Sequence, residues 1–323
     1  IGCVTGPLAV EHPSYEKEVI RERLERMGLL SEFFESVLDA LQPTFSLQEA
    51  EHQIEESCRD LQGRPPEERE IGHYLIWLAR CNYELRFGNA TPLSQRVIFP
   101  QGPSERQGIE DARFVCFNGD GCEARYYATY TAWDGEATLP QLIETDDFLH
   151  FRMRTLSGES VRNKGMALFP RTIDGKFAMI SRKDDVNLFL MFSDNLYVWE
   201  DSQLLAKPRE PWECIKIGNC GSPIETDAGW LLITHGVGAM RKYSIGAMLL
   251  DKDDPSRVIG RLRRPLIVPD ENEREGYVPN VVYSCGSLLH GDYLILPYAM
   301  SDYATTVATV GIRGLIAALL DGK

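Results

Sequence analysis

The sequence predicts a mainly β protein, a five-bladed β-propeller (residues 83–323) preceded by an N-terminal α-helical segment (residues 1–82). Three observations carry this. The hydrophobic period changes near Asn82, from a helical spacing to short β-prone runs broken by Gly, Asp, Asn and Pro. Hairpin signals then recur at a near-constant interval: Asp120-Gly121, Asp174-Gly175 and Ala228-Gly229 place their glycines 54 residues apart, and Gly291-Asp292 makes a fourth. A second repeat agrees, since Thr145-Asp146-Asp147-Phe148-Leu149-His150-Phe151 resembles Ser193-Asp194-Asn195-Leu196-Tyr197-Val198-Trp199 at an offset of 48. Units of roughly 50 residues holding several strands each are the mark of propeller blades, and the segment has room for about five. The competing architecture is a β-sandwich with coincidental turn spacing.

The helical segment reads in order along the chain. Ser14 to Met27 interleaves charge with Val19, Ile20, Leu24 and Met27; Leu30 to Leu41 follows and ends before Pro43. Ser46-Leu47-Gln48-Glu49 is a capping box that opens a helix running to about Leu61. Gly63-Arg64-Pro65-Pro66 stops it, and Pro66-Glu67-Glu68 starts another through Tyr74, Leu75, Trp77 and Leu78. No chemistry is visible here. The expected role is packing or self-association into a homo-oligomer.

A hydrophobic content of 43% and a charged content of 25% suit a globular chain of 323 residues. The formal net charge of −14 argues against nucleic acid and membrane surfaces as partners, while leaving room for an anion in a local basic pocket. No apolar run is long enough to span a membrane and no signal peptide opens the chain, so a cytoplasmic location is expected. The eight cysteines include no C-x-x-C pair and the six histidines no H-E-x-x-H, so a metal site is not expected, and no organic cofactor is implied.

Gly108-Ile109-Glu110-Asp111-Ala112-Arg113-Phe114 sets charge beside the aromatic, β-prone run Tyr126 to Trp133. Carboxyl groups supply acid or base and bind hydroxyls, and aromatic rings cover apolar sugar faces. Further polar positions sit at strand ends: Lys164, Arg182, Lys216, His235, Tyr277 and Asp302. Taken singly, each has an ordinary reading. Glu110 and Asp111 could close a turn with Arg113 as ion-pair partner, Arg182 and Lys216 could pair with surface carboxylates, and His235 could be a satisfied core histidine. Converging near one carboxylate, the cations would form an anion pocket, with phosphate the natural occupant.

These segments resemble glycoside hydrolase family 130, the β-mannoside phosphorylases and β-1,2-mannosidases. The resemblance is carried by Gly-Ile-Glu-Asp-x-Arg-Phe, Thr-Tyr-Thr-Ala-x-Asp-Gly, Ala-Leu-Phe-Pro, Trp-Leu-Leu-Ile-x-His-Gly, Asp-Asp-Pro-Ser-x-Val-Ile-Gly-Arg and Val-Pro-Asn-Val-Val, in family order from about Leu93 to Ala308. It implies a five-bladed propeller with Asp111 as general acid, acting through a mannose hydroxyl. It implies attack by inorganic phosphate, as co-substrate, on the opposite face, with inversion to α-mannose 1-phosphate. Arg182, Lys216 and His235 would hold the phosphate with Lys164 as an addition; Glu110, Arg113, Tyr277 and Asp302 would position the oligosaccharide. The chain departs from the family pattern at Ala112, where proline is usual, and at Asn219-Cys220-Gly221-Ser222-Pro223. Glu225 and the acidic stretch Asp270 to Glu275 lie close in sequence to the anion-site segments, so Glu225 or Glu273 would be the base of a hydrolytic alternative. Retention of Arg182, Lys216 and His235 favours phosphorolysis. A non-catalytic glycan-binding propeller is the third reading, and it has no need of an anion clamp.

Overall fold

The computed structural model describes residues 4–26, 29–59, 66–119, 125–271 and 273–321. The chain is mainly β and divides into two compact units, Ile1–Arg106 with Asp147–Thr155, and Gln107–Asp146 with Leu156–Lys323.

In the first unit, strands β1 (Ala9–Glu11) and β2 (Tyr15–Glu16) precede helices α1 (Lys17–Arg26) and α2 (Glu32–Ala40). Strand β3 (Thr44–Phe45) pairs with β2 and leads to α3 (Leu47–Arg59) and α4 (Pro66–Arg80). The capping box at Ser46 is present: Glu49 Oε2 accepts from the Ser46 amide at 2.7 Å, and the Glu49 amide donates to Ser46 Oγ at 3.3 Å. Residues 63–65 of the expected helix stop, and Met27, lie outside the described residues. Leu24, Phe33, Phe34, Val37, Leu38, Phe45 and Ile54 form a buried cluster, which is how these short helices gain stability beyond their own propensity. Strand β4 (Tyr83–Arg86) pairs antiparallel with β1.

The second unit is built of antiparallel sheets that follow one another along the chain. The first holds β5 (Gly108–Phe117), β6 (Arg125–Trp133) and β7 (Thr138–Thr145). Strand β8 (His150–Thr155) belongs to the first unit and pairs with β4. Next come β9 (Lys164–Leu168), β10 (Phe177–Arg182), β11 (Leu188–Ser193) and β12 (Gln203–Ala206), each paired with the one before. In the third sheet β13 (Lys216–Asn219) and β14 (Ile224–Thr226) both pair with β15 (Gly229–Val237), which pairs with β16 (Tyr243–Leu250), and that with β17 (Val258–Arg261). In the last, β20 (Tyr293–Met300) pairs with β18 (Val282–Tyr283), β19 (Leu288–His290) and β21 (Ala304–Gly311), and α5 (Ile312–Leu320) follows.

Three of the four hairpin signals form turns. Asp174 and Gly175 both take positive φ, 49° and 76°, between β9 and β10, a geometry that glycine adopts without a Cβ clash. The Ala228-Gly229 turn joins β14 to β15, and Gly291-Asp292 joins β19 to β20. Asp120-Gly121 lies outside the described residues. The second repeat is visible in hydrogen bonds. Asp147 Oδ1 accepts from the Leu149 amide and Asn195 Oδ1 from the Tyr197 amide, the same side-chain turn at equivalent places. Between the sheets lie apolar cores such as Phe169, Ile180, Leu190, Trp230 and Leu232.

Candidate active site

The first strand of each sheet in the second unit contributes to one polar network: Glu110, Asp111 and Arg113 from β5, Lys164 from β9, Lys216 from β13 and Tyr283 from β18. Strand β5 breaks register with β6 between Glu110 and Arg113, and Asp111 sits there at φ 61°. A bulge re-aims a side chain, and aspartate tolerates left-handed backbone better than most residues. The released carboxylate turns onto Arg113.

Arg113 is fully buried; its Nη1 donates to the Asp111 carbonyl at 2.9 Å and its Nη2 to Asp111 Oδ2 at 3.1 Å. Arg113 Nη2 also donates to the Tyr283 hydroxyl at 2.7 Å, and that hydroxyl donates to Asp111 Oδ2 at 3.0 Å. Cys285 Sγ lies 3.5 Å from Asp111 Oδ1. Burial pushes the Asp111 carboxyl up, but Arg113, the Tyr283 hydroxyl, Lys164 and Cys285 outweigh it and hold the group below the usual carboxylate range. Lys164 Nζ pairs with Glu110 Oε1 at 2.8 Å.

The Tyr283 ring carries the network onward, its centroid 4.9 Å from that of His235, which stacks on Tyr243 at 5.9 Å. Arg182 Nη1 lies 2.9 Å from His235 Nε2. Because arginine can only donate, Nε2 is the unprotonated nitrogen and the imidazole is neutral. Burial, then Arg182 and Arg113, push its pKa well below the ordinary histidine value. His235 therefore orients Arg182 rather than adding a positive charge. Gly218 leaves room for this contact: a Cβ there would overlap His235 Cε1 and come within 2.6 Å of Nε2 and 3.1 Å of Arg182 Nη1.

Arg182 Nη2 and Lys216 Nζ converge on one carboxylate, Asp185, at 3.2 Å and 2.7 Å. Asp184 closes the turn by accepting from the amides of Val186 and Asn187, which frees Asp185, at φ 62°, to face the cations. Burial opposes ionisation of Asp185, but Lys216 and Arg182 hold its pKa low. Among the described residues, Arg113 Nε and Arg182 Nε are buried without an acceptor, so the network has donors to spare.

The structure thus brings together Glu110, Asp111, Arg113, Lys164, Arg182, Lys216 and His235. It does not bring in Glu225, whose two oxygens are gripped by Arg171 at 2.9 Å each. Glu225 pairs with Trp230 on β15, five residues from His235, which is about 16 Å along an extended strand. Glu273 is also committed elsewhere, accepting from the Tyr298 hydroxyl at 3.0 Å and the Asp270 amide at 3.0 Å. Tyr277 and Asp302 lie on neighbouring loops joined by the Val278 amide and the Ser301 carbonyl at 3.1 Å, both exposed. No described side-chain contact ties them to the network.

Sequence reasoning missed Asp185, Cys285 and Gly218, and did not place Tyr283 at the site. Lys183-Asp184-Asp185 reads as a solvated turn, and only the fold turns the second aspartate onto cations from two sheets. Among the described residues no group of three or more His, Cys, Asp or Glu is arranged to hold a metal. No helix among them is long and apolar enough to cross a membrane.

Comparison with known proteins adds to the geometry. The glycoside hydrolase family 130 model, described as β-1,4-mannooligosaccharide phosphorylase, matches residues 70–320. A 1,2-β-oligomannan phosphorylase of Thermoanaerobacter sp. is 34% identical over 75% of this chain and 82% of its own length. A β-1,2-mannobiose phosphorylase of the same organism is 33% identical over 66% of this chain and 70% of its own. Among solved structures, the β-1,2-mannobiose phosphorylase of Listeria innocua in complex with β-1,2-mannobiose superposes with a TM-score of 0.62 at 25% identity, covering 73% of this chain and 69% of that one.

Proposed function

The chain belongs to glycoside hydrolase family 130, and from that premise we propose that it cleaves β-linked mannosides by phosphorolysis with inversion, on a five-bladed β-propeller. The observation that supports this most is the joining of one partly buried carboxylate, Asp111, to a cation pair, Arg182 and Lys216, through Arg113, Tyr283 and His235. The propeller is supported by the repeat and by the placing of at least one network residue on the first strand of each sheet of the second unit, as expected where blades converge on a channel.

In this reading phosphate lies on Arg182 and Lys216, displacing the carboxylate of Asp185 from their donors. A phosphate oxygen attacks the anomeric carbon as the glycosidic C–O bond breaks, and the departing oxygen receives a proton that originates on Asp111, passed through a sugar hydroxyl. The products are α-mannose 1-phosphate and the shortened mannoside. Arg113 and Tyr283 fix the Asp111 carboxylate so that little reorganisation is needed.

Hydrolysis on the same scaffold requires a carboxylate base near the attacking water. Glu225 and Glu273 are engaged elsewhere. Asp185 is the carboxylate at the clamp, but two cations lower its basicity, which favours phosphorolysis. Product analysis on β-1,2- and β-1,4-mannosides with and without inorganic phosphate tests the reading. Phosphate-dependent mannose 1-phosphate supports it; free mannose formed equally without phosphate overturns it.

A further inference from the structure

An acid must hold its proton when the bond breaks, yet Asp111 is gripped by donors that favour its charged form, Arg113 and the Tyr283 hydroxyl. Something must change between the free protein and the reacting complex. We propose that filling the Arg182–Lys216 clamp with a doubly charged oxyanion draws a proton from solvent onto Asp111, so that the nucleophile loads the acid. The proposal rests on the reading of that clamp as the phosphate site.

Charge balance makes the case. The network holds four cations, Arg113, Lys164, Arg182 and Lys216, against three carboxylates, Glu110, Asp111 and Asp185, with His235 neutral. Adding a dianion turns this near-balance into an excess of negative charge in a site whose central members, Arg113, Arg182 and His235, are buried. Buried excess charge is relieved by taking up a proton.

Geometry selects the group that takes it. The side chains of Glu110 and Asp185 are 53% and 47% exposed, so water screens them, whereas that of Asp111 is 20% exposed. The other groups facing Asp111 are Arg113 on its own strand, Lys164 from β9, Tyr283 at the end of β18, Cys285 just beyond it and Cys220 after β13. The phenol and both thiols are already protonated, since burial raises all three. His235 resists protonation because its free nitrogen, Nε2, faces the guanidinium of Arg182. Asp111 is left as the acceptor. When the glycosidic bond breaks, this proton moves to the departing oxygen and Asp111 returns to its ionised pairing with Arg113.

The experiment is calorimetric titration of the protein with sodium sulfate in two buffers of different ionisation enthalpy. Sulfate serves as the probe because it stays a dianion near neutral pH and can neither bring nor take the counted proton. The expected result is uptake of about one proton per sulfate bound. Uptake is lost in Asp111→Asn, which still binds sulfate. Infrared difference spectra of the unmutated protein give a second readout, with sulfate raising a protonated-carboxyl C=O band. Binding without uptake, or uptake that survives in Asp111→Asn, overturns the proposal while leaving the anion site standing. Sulfate that does not bind overturns the phosphate-site reading and the proposal with it.

Discussion

Arg182 and His235 meet at 2.9 Å, Nη1 to Nε2, across 53 residues of sequence. The same separation, to within one residue, recurs in contacts of unrelated chemistry: Lys164 with Glu110 and Arg171 with Glu225 at 54, Tyr197 with Glu144 at 53, and the Arg261 guanidinium with the Lys207 carbonyl at 54. Equivalent positions in consecutive repeats touch, as they must when units of one length stack side by side. The turns Pro103–Glu105 and Pro211–Glu213, two repeats apart, agree: each buries a glutamate whose carboxylate accepts two preceding backbone amides.

Asp111→Asn keeps the shape of the side chain and removes the transferable proton. Turnover is expected to fall by about 10²-fold or more, with circular dichroism and melting behaviour preserved. Near-normal turnover in the folded variant takes Asp111 out of the mechanism.

Asp185 occupies the Arg182 and Lys216 donors to which the proposed function assigns phosphate. Asp185→Asn is expected to lower the KM for phosphate by roughly three- to tenfold, since a neutral amide competes less well for two cations. A higher KM instead means that Asp185 aligns Arg182 and Lys216 rather than blocking them.

His235 is held neutral in the folded protein, with its pKa well below the 6.5 of the free side chain. The unfolded chain therefore binds more protons below about pH 6.5, and stability is lost as the pH falls through that value, by at most about 1.4 kcal/mol per pH unit from this group. Asp111, also held low, adds a loss only at more acid pH, below its unfolded value of 3.8. Urea unfolding at pH 7, 6 and 5 should show this slope, shallower in His235→Gln. Identical slopes in the two proteins refute the neutral buried histidine.

Gly218→Ala places a methyl group against His235 and Arg182. The expected cost is about 1–3 kcal/mol of stability, with a larger loss in kcat/KM for phosphate than for the mannoside. Equal losses for both substrates would mean that the distortion spreads beyond the clamp.

Glu225→Gln breaks a half-exposed fork with Arg171 far from the network. Activity is expected to stay within about twofold and stability within about 1 kcal/mol. Loss of turnover would return Glu225 to the list of bases.

The sequence by itself determined what is local or periodic. Helices α2 to α4 followed from amphipathic spacing, a capping box and Pro66, and the hairpins from turn residues whose backbone needs are built into their own chemistry. The motif resemblance located Asp111, Arg182, Lys216 and His235 because those residue types stand in recognisable strings. Only the tertiary structure decided what meets across repeats: Asp185 against two cations, Tyr283 between Arg113 and Asp111, His235 neutral beneath Arg182, and Glu225 bound to Arg171. Closeness in sequence put Glu225 next to the anion-site segments. A strand rises about 3.3 Å per residue, so a few positions along β14 and β15 carried it out of reach.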